Sequence, residues 1–210
     1  MDVISFLIIA CIFFFSVILH ECAHGWTAYQ LGDPTAKERG RLTLNPIKHV
    51  DLLGTIILPL FLFLTSSPII LGWAKPVPVN FSRLRNPKKD MIWVGISGPI
   101  TNILIAVVLA LILRINIFPL AASILQMGIL LNLILAVFNL IPIPPLDGSR
   151  IVMGILPQKY AYPYAKLEKY GIVIIFLLLW SRVLFRVIGP VIFQLASYLG
   201  VQIWNLSMFL

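Results

Sequence analysis

Long uninterrupted apolar runs dominate the pattern of hydrophobic and polar positions in this chain. About 20 consecutive apolar residues are enough for a helix to cross a bilayer. Runs of this kind occupy residues 3–19, 52–74, 91–113, 115–146 and 187–210, and the last four contain no Asp, Glu, Lys or Arg. The pattern therefore predicts an all-α, polytopic protein that lies in the lipid bilayer.

Composition agrees with this prediction. The chain has 210 residues, of which 60% are hydrophobic and only 11% charged, whereas soluble domains carry about a quarter charged residues. The first run lacks both the basic start and the small-residue cleavage site of a signal peptide, so we expect it to be retained. We expect one domain over residues 1–210, with a core at 1–155 and C-terminal helices at 156–210.

The net charge of +8 is better explained by membrane topology than by binding to nucleic acid, which we do not expect. Lys and Arg cluster at residues 34–50, 75–89 and 150–169. Basic loops stay on the cytoplasmic side of a membrane, so all three segments are predicted to lie in the cytoplasm. The lone Arg114 is expected in an outer loop.

Candidate chemistry begins where the first apolar run ends, in the sequence His20-Glu21-Cys22-Ala23-His24. Positions i and i+4 share one helix face, so two imidazoles can meet one Zn²⁺ ion. Glu21 would then take a proton from the attacking water and pass it to the leaving amine. Ionisable groups at membrane depth are costly and indicate function. The alternative is a pair of surface histidines with an incidental Glu.

A catalytic zinc usually has three protein ligands, so a third is needed. Asp147 stands out because it follows three prolines in four residues, which end a membrane helix, and precedes Gly148, which allows a tight turn. The alternative for Asp147 is a solvated, proline-rich surface turn. The other candidates are His49, Asp33, Asp51, Asp90 and Glu168.

The sequence resembles the site-2 protease family of intramembrane metalloproteases, in its compact bacterial and archaeal branch without a PDZ domain. The resemblance rests on H-E-C-A-H at 20–24, G-D-P-T-A at 32–36, G-R-L-T-L-N-P at 40–46, H-V-D-L-L-G-T at 49–55, G-W-A-K-P-V-P-V-N at 72–80, S-G-P-I-T-N at 97–102 and P-P-L-D-G at 144–148.

This resemblance implies that Asp147 is the third ligand of one zinc ion per chain. It also places the amides of Asn102 and Asn139 near the site, where they would orient the substrate backbone or stabilise an oxyanion. The alternative for both is hydrogen bonding between membrane helices. The family further implies multi-pass insertion in the plasma membrane of a prokaryote.

The zinc ligands constrain topology, because His20 and Asp147 must lie at the same membrane depth. Each ends an apolar run, so their host helices must run in the same direction. We therefore predict that residues 52–74 form a re-entrant segment, and that the active site faces the cytoplasm. With two further crossings at 167–186 and 188–208, about five transmembrane helices are expected. The pattern also allows short β-strands near 40–45 and 75–80.

These expectations together predict an intramembrane zinc metalloendopeptidase. Its substrate would be a transmembrane protein, cut within or at the edge of a membrane segment. Two other functions fit the same residues. A metal-ion transporter also needs intramembrane His and Asp, and an inactive scaffold could bind zinc without hydrolysis.

Overall fold

A computed structural model describes residues 3–65, 72–115 and 121–201, and this part of the chain is built from helices. The α-helices are α1 (Val3–Gln30), α2 (Thr35–Glu38), α3 (Leu58–Leu64), α4 (Pro87–Ile115), α5 (Ala122–Asn139), α6 (Asp147–Ile155), α7 (Gln158–Ala165), α8 (Glu168–Trp180) and α9 (Val183–Tyr198). Short 3₁₀ turns lie at Pro46–His49 and Phe81–Arg83, and a π-helical stretch at Leu52–Ile57 leads into α3. The predicted all-α class is confirmed.

Within the described residues, three helices are long and apolar enough to cross a membrane: Phe6–Gln30 within α1, Pro87–Ile115 and Ala122–Asn139. Apolar side chains project from the outer surfaces of the first two. Leu7, Phe15 and Leu104, for example, are each more than half exposed. Such surfaces are stable in lipid rather than in water, which agrees with the predicted membrane protein.

The predicted count of five spans is not reached in the described residues. The last two predicted crossings correspond to α8 and α9, which have 13 and 16 residues. At 1.5 Å per residue they span about 20 and 24 Å, less than the roughly 30 Å hydrocarbon core. They meet at a bend of 77°, where Arg182 adopts a left-handed conformation, and together they count at most as a fourth span. Residues 202–208 lie outside the described part.

The two ends of the segment between residues 52 and 74 lie next to each other. The amide of Trp73 donates to the carbonyl of Gly54 at 3.0 Å, and the Thr55 hydroxyl donates to the carbonyl of Trp73 at 2.9 Å. The amide of Lys75 donates to the carbonyl of His49 at 2.9 Å. The two ends of the segment are thus tied together. Residues 66–71 of this segment lie outside the described residues.

The short strands allowed near 40–45 and 75–80 are absent, because both stretches are described and neither is a strand. The physical reason is visible at residues 75–80, whose backbone groups bind side chains instead of a neighbouring strand. The amide of Val77 donates to Glu21, and the amide of Asn80 donates to Asp33. The carbonyls of Lys75 and Pro76 both accept from Arg41.

Helix α4 lies at the centre of the molecule and packs against α1, α5 and α6. On its far half, the small residues Ala106 and Ala110 share one buried apolar cluster with Ile129 and Leu133 of α5 and with side chains of α9. Small residues allow neighbouring helices to approach closely. Nearer its start, α4 packs on α1 and α6, and His20 and His24 of α1 lie next to the end of α5 and the start of α6.

Candidate metal centre

The structure brings His20, His24 and Asp147 together. One helical turn separates the two histidines on α1, and their Nε2 atoms are 3.0 Å apart. Asp147 is the first residue of α6, and its Oδ2 lies 3.0 Å from His20 Nε2 and 3.2 Å from His24 Nε2. Both histidines are buried. Asp147 lies 123 or more positions along the chain from the two histidines. The three residues nevertheless present their ligand atoms to one point.

This donor set fits zinc. Zn²⁺ bound by nitrogen and oxygen at about 2.0–2.2 Å with tetrahedral angles separates its ligand atoms by about 3.3 Å, close to the distances found here. Burial would raise the pKa of Asp147, but the charge of His24 and the hydrogen bonds from both histidines outweigh it and lower that pKa below its usual range. The carboxylate form, which is the one that binds metal, is thereby favoured.

Gly98 of α4 keeps the space between the two histidines open. A Cβ atom at this position would lie 2.6 Å from His20 Nε2 and even closer to His24 Nε2. No side chain can occupy that place without moving both rings. Gly98 belongs to the S-G-P-I-T-N motif. Its approach to the histidines depends on how α4 packs on α1, so its role could not be predicted from the sequence.

The remaining nitrogen of His24 is bound to the backbone. Its Nδ1 donates to the carbonyl of Val94 on α4 at 2.6 Å. A carbonyl accepts only, so Nδ1 carries a proton, and Nε2 is the nitrogen left to bind a metal. This is the outer partner that metal-binding histidines generally have.

Asn102 lies beside the site, as predicted, but its contacts differ from those expected of a substrate-binding group. Its Oδ1 lies 2.5 Å from His20 Nδ1, and its Nδ2 donates to Asn132 Oδ1 at 2.8 Å. Asn102 is fully buried. Both ends of its amide are thus bound within the protein, which is the pattern of the alternative, hydrogen bonding between helices.

Glu21 lines a cavity of about 340 Å³ that also contains His20, His24, Asp147 and Asn139. The amide of Val77 donates to Glu21 Oε2 at 2.7 Å and fixes the position of the carboxylate. Pro76 and Val77 form part of the cavity wall. The segment 75–80 therefore positions Glu21 through its backbone.

Asn139 also reaches this cavity, while its Nδ2 donates to the carbonyl of Leu135 one turn earlier in α5 at 2.9 Å. The other third-ligand candidates have separate partners. His49 binds the carbonyl of Thr43, Asp51 binds the amide of Gly54, Asp90 binds the amide of Asn86, Asp33 binds Thr35 and Asn80, and Glu168 pairs with Arg150.

The proline-rich turn that ends in Asp147 is packed against the C-terminal part of the chain. A Cβ atom on Gly171 of α8 would collide with the carbonyl of Pro144 and lie 2.9 Å from Pro145 Cδ. The Tyr164 hydroxyl donates to the carbonyl of Pro142 at 2.7 Å. The motifs that carry the resemblance end at residue 148, so the contribution of this region to the site was not predicted.

Comparison with known proteins points the same way. Residues 119–181, which include Asp147, match the model described as Peptidase family M50. The chain is 42% identical over 106 residues to "Putative zinc metalloprotease YwhC" of Bacillus subtilis (strain 168), covering 50% of this chain and 44% of that one. It is 29% identical over 104 residues to "Putative zinc metalloprotease Rip2" of Mycolicibacterium smegmatis, covering 50% and 39%.

The matched part of the chain thus spans less than half the length of these curated relatives. No solved structure matches the chain significantly. The matches nevertheless confirm the resemblance to the site-2 protease family that the motifs predicted.

Proposed function

We propose that this protein is an intramembrane zinc metalloprotease of the H-E-x-x-H type. It hydrolyses peptide bonds within or at the edge of transmembrane segments of other membrane proteins. The observation that carries the proposal is the convergence of His20, His24 and Asp147 on one point of a cavity that also contains Glu21. Two histidines, one carboxylate and an adjacent Glu are the donor set and base of a hydrolytic zinc site.

Zinc bound at this point would polarise the scissile carbonyl and lower the pKa of water toward neutrality. His20, His24 and Asp147 would hold one ion per chain. Three protein ligands leave a fourth position for a reactant, as catalytic rather than structural zinc sites do.

Glu21 is proposed as the general base and then the general acid. Its hydrogen bond to the amide of Val77 holds the carboxylate in the cavity. A carboxylate can accept about four hydrogen bonds, so this one leaves capacity for a water molecule. Glu21 would take the proton of the attacking water and deliver it to the leaving amine.

The proposed topology has α1, α4 and α5 crossing the bilayer, with residues 52–74 entering and leaving on one side. Support comes from the bond between Trp73 and Gly54 and from the common depth of His20 and Asp147. The basic segments 34–50, 75–89 and 150–169 are expected on the cytoplasmic side. This supports a site that faces the cytoplasm. We assign the protein to the plasma membrane of a prokaryote, because its motifs resemble the bacterial and archaeal branch.

The proposed substrate is a transmembrane helix that unwinds locally, since a helix hides its peptide groups in hydrogen bonds. The cavity lies at one end of the crossing helices, where water and a substrate end can both enter. Asn139 is proposed to contact the substrate backbone from the cavity wall. The only other partner proposed is the bilayer itself, and nucleic acid is not among the expected partners.

Zinc content tests the ligands directly. Wild type, His20→Ala and Asp147→Ala are purified in detergent, and zinc per chain is measured by elemental analysis. We expect about one zinc in the wild type and its loss in both variants. His49→Ala is the matched control, because His49 is buried but binds Thr43 instead of the cluster, and it should keep the metal. Equal zinc in wild type and Asp147→Ala would remove Asp147 from the site.

The near-isosteric Glu21→Gln separates hydrolysis from the two rival functions. It should retain zinc while new peptide termini, found by mass spectrometry of membranes containing the wild type, disappear. Zinc uptake into vesicles that persists unchanged in Glu21→Gln would instead support a metal transporter. An unchanged set of termini in wild type and variant would support an inactive scaffold.

A further inference from the structure

A chain of buried polar side chains runs behind His20 through three helices. Asn102 of α4 and Asn132 of α5 are fully buried, and Ser16 of α1 is 4% exposed. Hereafter these three residues are called the amide chain. Polar side chains in the apolar interior of a membrane protein are costly unless each is hydrogen-bonded. Asn132 was not singled out from the sequence.

The contacts of the amide chain are continuous. Asn102 Nδ2 donates to Asn132 Oδ1 at 2.8 Å. Asn132 Nδ2 donates both to Ser16 Oγ and to the carbonyl of Gly128, each at 2.9 Å. At the other end, Asn102 Oδ1 lies 2.5 Å from His20 Nδ1. The amide chain therefore begins at a backbone carbonyl and ends at a metal-site histidine.

The donor-to-acceptor direction of the hydrogen bonds in the amide chain is fixed by the Gly128 carbonyl, which can only accept a hydrogen bond. The Asn132 group that faces it must be the NH₂ group, so Asn132 presents its oxygen to Asn102. Asn102 must then donate to Asn132 and present its own oxygen to His20. An amide oxygen accepts only, so His20 Nδ1 must carry a proton, and Nε2 is the nitrogen that faces the cluster and would bind a metal.

We propose that Asn132 is a positioning residue that fixes the tautomer and ring orientation of His20 through Asn102. This inference rests on the proposed zinc site, since the lone pair on Nε2 matters only for a ligand. His24 reaches the same state in one step, through the Val94 carbonyl. For His20 the connection to a backbone carbonyl, that of Gly128 in α5, runs through two amides.

Ser16 has a lesser part in this arrangement. It lies four residues before His20, on the same face of α1, and it accepts one of the two Asn132 protons. The Gly128 carbonyl would still orient Asn132 if Ser16 were removed. Substitutions should therefore differ in effect, with Asn132→Leu severe and Ser16→Ala mild.

The tautomer can be read without zinc and without activity. The chain has three histidines, so ¹⁵N-histidine labelling of the zinc-free protein in detergent micelles gives few signals, and the His20 signal is identified by its loss in His20→Asn. In the wild type we expect Nδ1 of His20 to carry a proton, because it faces the oxygen of Asn102. In Asn132→Leu we expect Nδ1 to be protonated in only part of the molecules.

Zinc affinity supplies the second readout, measured by competition with a chromophoric chelator. Loss of an outer partner of a metal ligand typically weakens binding about 10- to 100-fold, and we expect about 10-fold for Asn132→Leu, because it acts through Asn102. Asn132→Asp should restore most of the affinity, since a neutral buried acid can accept from Asn102 and donate to Gly128. Thr101→Val is the matched control on α4, because Thr101 bonds only to its own helix at Ser97.

A wild-type His20 without a proton on Nδ1 would overturn the proposal, and so would unchanged Nδ1 protonation and zinc affinity in folded Asn132→Leu. If Asn132→Leu does not fold, the wild-type tautomer and the Asn132→Asp affinity decide. Failure of the proposed function gives a different result from failure of this inference. The wild type would then bind no zinc, whereas the protonation of His20 could still be measured.

Discussion

Gly98 is a residue whose missing side chain leaves room for a metal between His20 and His24. We expect Gly98→Ala to abolish or strongly reduce zinc binding, because the added methyl group would overlap both ring nitrogens. Elemental analysis of the purified variant measures this. Ile100→Ala, an outward-facing change on the same helix, serves as control and should retain zinc. Normal zinc content in Gly98→Ala would contradict the close approach of α4 to the site.

Single residues could be predicted from the sequence only where local geometry decides their position. The spacing of His20 and His24 follows from one helix, so their proximity was predictable. Asp147 could be assigned only through resemblance to a family. Asn102 was expected near the site, but its partner Asn132 depends on how α5 is rotated against α4, which apolar periodicity does not determine.

Helix α8 supports the proline-rich turn at Gly171, where its backbone touches the carbonyl of Pro144. Gly171→Ala should push α8 away from the turn and displace Asp147. Overpacking of this kind typically costs about 1–3 kcal/mol, so we expect lower thermal stability together with weaker zinc binding. Fluorescence-detected unfolding and chelator competition measure the two effects.

Val173→Ala is the control for this prediction, because Val173 lies on the exposed side of α8. It should change neither property. Gly171→Ala with wild-type zinc affinity would show that α8 does not support the site.

The helical elements were largely predictable because long apolar runs can satisfy their backbone in lipid only as helices. The break between α8 and α9 was predicted after residue 186 but lies at Ser181 and Arg182, because its position depends on the left-handed conformation of Arg182. The strand expected near 75–80 failed for a different reason. Val77 and Val79 alternate with prolines as in a strand, yet the amides of Val77 and Asn80 bind the carboxylates of Glu21 and Asp33.

The arrangement of the whole molecule in the membrane depends on whether residues 52–74 cross it. If they are re-entrant, Lys48 and Lys75 lie on the same side, and Arg114 lies on the other. With Cys11 and Cys22 replaced by Ser, single cysteines at these three positions can be labelled in sealed vesicles by a membrane-impermeant maleimide. We expect Lys48→Cys and Lys75→Cys to label together and Arg114→Cys to label oppositely. Opposite labelling of the first two would mean that the segment crosses.

Residues 75–80 lie beside Glu21 without helical structure, and non-helical chain is the form in which a peptide bond is open to attack. Two of its carbonyls are bound to Arg41, and the amide of Val77 is bound to Glu21 itself. Pro76 and Pro78 restrict the backbone on both sides of Val77. These contacts would keep the proposed protease from cutting its own chain at the wall of its cavity.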